Sequence, residues 1–291
     1  MLWALRIVWF TLPLTAGAAF GAAVRDWSDA PSIVAQVLVW ASWAVGLLAV
    51  VVPRPHLLTA VRVIAPAFLV VAMVIAIDGA ASTTAAIGAL AATVVAGALV
   101  SSHDLALAAA NAIAYGDEQR VLLRTPPALF LGPLPIARVL VAGALVAPPL
   151  LLADERWVLG TITLVVAIPI VIMLPRALHG LSRRWGVLVP AGFVIVDPLT
   201  LSDPVLFLRE RILRMQAEDA TASSPPGVLD LRLGAAAGSV ALEFDEDAEL
   251  GRRGRRGRGG TIVQARELRF AVARRASFLE AAGARRIRVV T

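Results

Sequence analysis

Residues 157 to 197 read WVLGTITLVVAIPIVIMLPRALHGLSRRWGVLVPAGFVIVD, and a change of pattern inside them decides the fold. Up to Arg176 the run is almost wholly apolar, as a helix surrounded by hydrocarbon must be and a soluble amphipathic helix is not. Beyond Arg183 and Arg184 the period drops to two. Trp185 to Pro190 and Phe193 to Asp197 flank Ala191-Gly192, a short hairpin signal. A spanning helix therefore hands over to a β domain near Ser182.

The charges divide the chain at the same place. Up to Leu181 there are 9 Arg against 8 acids in 181 residues, and from Ser182 onward 18 Arg against 13 acids in 110 residues. The chain is 58% hydrophobic, above the roughly 45–50% of an ordinary soluble domain, and its mean hydropathy is +0.79. These numbers predict an integral membrane protein in two parts: an α-helical polytopic bundle over 1–181 and a cytoplasmic antiparallel β domain with a terminal helix over 182–291. With no cysteine, disulfides, thiolate catalysis and Cys-ligated zinc are excluded. Three scattered histidines, His56, His103 and His179, do not compose a metal site, and no cofactor is expected. All 27 cationic side chains are Arg and none is Lys, which reads as the mark of a GC-rich genome before it reads as phosphate recognition.

A spanning helix needs about 20 predominantly apolar residues. Six segments come near that length: 4–24, 33–52, 57–77, 83–100, 135–153 and 157–176. Basic residues near helix ends stay on the cytoplasmic side. With the N-terminus inside, that side collects Arg6, Arg54, Arg62, Arg120, Arg124, Arg138, Arg176, Arg183 and Arg184, and the outside keeps Arg25 and Arg156. Both termini are therefore expected inside, in the plasma membrane of a bacterium. Arg6, Arg62 and Arg138 lie within apolar runs near their cytoplasmic ends, where long stems can snorkel to the headgroups. The first segment is read as a retained span; the alternative is a cleaved signal peptide, because small residues from Ala16 to Ala23 follow the apolar run. Gly17 and Gly21 form a GxxxG, read as ordinary close packing within the bundle.

The stretch from 101 to 134 is the most unusual of the membrane part. Its helical pattern continues past Val100 to about Tyr115, with Gly116 as a stop. Pro126, Pro127, Pro133 and Pro135 then keep 128–134 from forming a regular helix, so it is expected along the interface. Asp104 should share a depth with Arg62 and Arg138, and an acid at that boundary needs a cation or water. Arg62, Asp104, Asn111, Tyr115, Asp117, Arg120 and Arg138 are thus the candidate binding residues; the plainer alternative is that they pin the loop to the bundle. The phrase from Asn111 to Arg120, followed by Leu131-Gly132-Pro133-Leu134-Pro135, resembles a loop in uncharacterised multi-pass membrane proteins of high-GC actinobacteria, a resemblance that brings no activity with it.

In the β part, Leu229, Leu231 and Leu233 alternate with Asp230 and Arg232, and Val240, Leu242 and Phe244 alternate with Ala241, Glu243 and Asp245. Both read as half-buried antiparallel strands. Val205 to Gln216 reads as one strand, Thr261 to Val272 as a long last one with Leu268, Phe270 and Val272 inward, and Arg274 to Arg286 as a closing helix carrying Phe278 and Leu279 inward. The Trp185 to Asp197 hairpin, the 209–214 strand and the Ala276 to Ala282 helix together resemble bacterial pleckstrin-homology-like (PH-like) domains attached to membrane helices. The resemblance implies a non-enzymatic role in protein or lipid contact. Its basic first turn is missing here, since that turn is Ala191-Gly192.

After the acids Glu243 to Glu249 come Arg252, Arg253, Arg255, Arg256 and Arg258 among glycines, expected as a mobile loop between two strands. Neutralisation by the adjacent acids is the first reading and contact with anionic lipid the second. With no aromatic residue interleaved, nucleic acid is not expected as a partner. The sequence therefore points to a membrane-associated scaffold or assembly factor, with membrane lipids and other membrane or cytoplasmic proteins as its partners. A small transporter or channel is the alternative. An enzyme is the least supported class, since no nucleophile–base pair is visible.

Overall fold

The computed structural model describes residues 1–219, 227–254 and 260–290. The chain forms two compact units: Met1–Ala109 with Leu134–His179, and Ala110–Pro133 with Gly180–Thr291. The first unit holds six helices long and apolar enough to cross a membrane: α1 (Leu2–Ala23), α2 (Asp29–Val51), α3 (Pro55–Asp78), α4 (Thr83–Val100), α7 (Pro133–Ala153) and α8 (Trp157–Ser182), with the apolar stretch of α7 reaching back to Pro127. Two short helices, α5 (His103–Asn111) and α6 (Pro127–Phe130), lie between α4 and α7. The outward faces of the long helices are apolar, with Leu14 and Ile77 more than four-fifths exposed, an arrangement that suits lipid and not water.

Side-chain chemistry explains the local details. Thr11, Thr15, Thr93 and Thr163 each return their hydroxyl to the carbonyl four residues back, so the polar groups are satisfied within the helix. Helix packing is carried by alanine: Ala19 of α1 meets Ala72 of α3 and Ala89 of α4, and small side chains let the backbones approach. The Gly17–Gly21 pair has no part in this, because a Cβ at either position would meet nothing within 4 Å. The pattern that continues past Val100 is not one helix. Ser101 caps α4, and the Ser102 hydroxyl accepts from the Leu105 amide at 3.3 Å to start α5, the local competition that serine offers a helix. The chain leaves α5 after Asn111, four residues short of Tyr115, and Gly116 turns with φ +58°.

The second unit is built from two sheets. One is the antiparallel meander β1 (Gln119–Leu122), β2 (Trp185–Val189), β3 (Gly192–Val196) and β4 (Val205–Leu208). The other has the order β6-β8-β7-β5-β9, from β5 (Ile212–Ala217), β6 (Val228–Asp230), β7 (Ser239–Arg253), β8 (Gly260–Ala271) and β9 (Val289–Val290). Phe193 stacks on Phe270 with ring centroids 5.2 Å apart, and Phe278 of α9 (Arg275–Ala284) closes over both. Leu268, Phe270, Val272 and Phe278 are buried as the alternation predicts.

Several expectations for this unit change. The strand read over 205–216 is broken by a 3-10 turn at Arg209–Arg211, three exposed charged residues across which the chain leaves one sheet for the other. β6 lies parallel, not antiparallel, to β8, and β9 lies parallel to β5. Leu233 does not face inward with Leu229 and Leu231; it sits at φ +53° in a turn with Gly234 and is exposed. β1, contributed by the connection between α4 and α7, pairs along its whole length with β2.

Candidate functional site

The seven residues named from the connecting loop fall into two groups. Arg62 and Arg138, with Asp104, belong to the helical unit and are all half-buried. The Arg62 guanidinium reaches the carbonyls of Val100 and Ser102, each at 3.5 Å, where the free carbonyls at the end of α4 favour a cation. Asp104 stands just beyond, in the first turn of α5. Arg6 does the same for α2, donating to the Val50 carbonyl at 3.1 Å while lying over Trp3. Arg6 and Arg62 thus serve as C-terminal caps for neighbouring helices.

Asn111, Tyr115, Asp117 and Arg120 belong to the β unit. Asn111 accepts from the Arg120 amide at 2.9 Å and donates to its carbonyl at 3.1 Å, a side chain standing in for a neighbouring strand. The Arg120 guanidinium bonds the Ile113 carbonyl and Glu118, and lies over the Trp185 ring at 4.9 Å. Arg285 holds Gln119 and the Asp117 carbonyl. Tyr115 is exposed. This group seats β1 in its sheet.

Of the Arg/Gly stretch, Arg252 and Arg253 are strand residues, paired with Thr261 and Gly260, so the loop expected there is shorter than the sequence suggests. Arg255, Arg256 and Arg258 lie outside the described residues. Among the described residues, three of the preceding acids pair outside this stretch. Glu243 pairs with Arg214, and Asp245 and Glu246 with Arg211, because β5 is the neighbour of β7. Hydrogen bonding to Glu246 raises the Arg211 pKa, and the fork of Asp230 does the same for Arg232.

Sequence reading missed three features. Arg184, counted there as a topology signal, is buried in the β unit. It forks onto Asp197 with two 2.8 Å bonds and also donates to the carbonyls of Arg124 and Leu231. Second, β4 ends its sheet with Leu206 and Leu208 about half exposed. Third, a cavity of about 410 Å³ opens among α1, α2, α3 and α4. Trp43 lines it and is held by Trp9: the two donate their indole N–H groups to each other's backbone carbonyls, Trp9 to Trp43 at 3.0 Å and Trp43 to Trp9 at 2.9 Å. Arg25, Ser32 and Gln36 line its other end, where α1 gives way to α2. Gln36 inside an apolar run is the one sequence signal that could have found it.

Among the described residues no group of three or more His, Asp or Glu could hold a metal ion. No protein-family model matches this chain, and neither a curated protein nor a solved structure is significantly similar to it.

Proposed function

We propose that the chain is a multi-pass bacterial plasma-membrane protein with both termini cytoplasmic, whose PH-like β unit works as a non-enzymatic adaptor in a membrane scaffold or assembly. The nine-to-two division of Arg supports the orientation. Strands in two sheets followed by the closing helix α9 support the PH-like reading; β1 entering from the helix connection and the parallel edge strands β6 and β9 depart from simple hairpin order. The observation that carries the adaptor role is β4: an edge strand with Leu206 and Leu208 facing solvent offers backbone hydrogen bonds and alternate apolar contacts to an extended peptide. The cavity in the helical unit is lined mostly by apolar side chains, which gives no support to a path for polar solutes.

A photo-crosslinker attached at Leu206→Cys tests this reading cleanly, since the chain has no other thiol. In native membranes a discrete protein adduct that disappears with Leu208→Asp is the expected result. Adducts with lipid alone, or none, would remove the adaptor role.

A further inference from the structure

We propose that the cavity among α1, α2, α3 and α4 is a binding site for one acyl chain of an anionic membrane lipid, with the headgroup held at Arg25. The volume of about 410 Å³ is within the ~300–1,000 Å³ range of built small-molecule pockets. On α2 the lining runs from Ser32 to Trp43, about 16 Å of helix rise, or roughly half the hydrocarbon thickness of a bilayer. Trp43 and Phe68 line the cavity, and Trp9 behind them fixes both, through the reciprocal Trp9–Trp43 bonds and by stacking on Phe68. Gly17 and Gly21 form the α1 wall, and the space a Cβ would take beside them is open. Elsewhere the bundle uses glycine in the opposite way: a Cβ at Gly46 would lie 1.9 Å from the Trp9 ring. The α1 glycines therefore leave room that no helix fills.

The mouth selects the charge of the occupant. Arg25 is the one charged lining residue; it is exposed, and among the described residues its guanidinium has no ion pair or hydrogen bond. Gln36 and Ser32 beside it are joined at 3.2 Å and offer further polar contacts. A phosphodiester headgroup satisfies Arg25, and an apolar chain below it replaces the contacts that an empty apolar void forfeits.

The test uses the full chain in detergent, incubated with equal amounts of dioleoyl phosphatidylglycerol and dioleoyl phosphatidylcholine and examined by native mass spectrometry. One phosphatidylglycerol retained per chain is expected. Arg25→Gln should lower its preference over phosphatidylcholine about fivefold, the equivalent of ~1 kcal/mol for one Arg at a lipid surface. Gly17→Leu or Gly21→Leu should abolish retention while helicity and melting stay unchanged. If both variants unfold, a phosphatidylglycerol brominated along its chain decides, since it should quench the wild-type tryptophan fluorescence more than that of Trp43→Phe. Undiminished retention in a folded Gly17→Leu, equal retention of the two lipids, a second protein copy in place of lipid, or equal quenching would each overturn the site.

Discussion

Arg184 and Asp197 are joined by two parallel N–H···O bonds of 2.8 Å, both side chains almost fully buried. The same guanidinium donates to the Arg124 carbonyl at 2.7 Å and the Leu231 carbonyl at 3.1 Å. One side chain therefore ties together the segment after β1, the β2–β3 hairpin and the residue after β6. Desolvation consumes much of the attraction in such a pair, so its value shows when one partner is lost and the other charge is left buried.

Asp197→Ala in the full chain should destabilise the β unit by about 3–5 kcal/mol. Hydrogen exchange of the β3 amides should accelerate by roughly two to three orders of magnitude. The double change Arg184→Met with Asp197→Leu should recover most of the protection. Wild-type exchange rates in Asp197→Ala would mean that the pair adds nothing.

The same substitution should act oppositely on two glycines of the helical unit. Gly46→Ala drives a Cβ into the Trp9 ring and should cost about 1–3 kcal/mol, as overpacking does. Gly17→Ala meets open space and should leave the melting temperature in detergent unchanged or raised. Equal losses at both positions would contradict the packing described for α1 and α2.

Arg62 and Asp104 stand at the end of α4, and Arg138 belongs to the same helical unit. We propose that Asp104 pairs with one of the two arginines. Asp104→Asn should then lower stability in detergent, and combining it with Arg62→Gln or Arg138→Gln should cost less than the sum for the true partner. Additive losses in both cycles would eliminate the pairing.

A fragment of residues 182–291 lacks β1 and so presents the edge of β2, whose every residue except Val189 has a partner in β1. It should fold less cooperatively than the complete unit and should gain stability from a synthetic peptide of residues 116–125, in the manner of strand addition. No effect of the peptide on thermal melting would make β1 dispensable.

Much of the architecture was legible in local pattern. The six apolar runs agree with the helices to within a few residues, because length and hydropathy alone determine what can span a bilayer. Trp185–Val189 with Gly192–Val196 and the inward set Leu268, Phe270 and Val272 followed from period two. What escaped was non-local. β1 is four residues whose partner strand follows 62 residues after it, and no window of sequence carries that pairing. Glu243, Asp245 and Glu246 of β7 were assigned to the arginines next to them in sequence, whereas the fold pairs them with Arg214 and Arg211. The cavity was hidden for a related reason: Gly17 and Gly21 spell a packing motif, and only the placement of α2, α3 and α4 shows that they border space.

The pairing of β1 with β2 also constrains how the chain is made. Between them lie α7 and α8, and two strands can bond only if they reach the same aqueous compartment. The helix pair must therefore enter and return, so an insertion error that leaves either helix outside the bilayer core also leaves β1 without its neighbour. During synthesis, at about 5–20 residues per second, β1 waits several seconds for β2 to emerge. Closure of the sheet therefore depends on correct threading of this helix pair: a misthreaded chain keeps two open strand edges, a template for pairing with other chains.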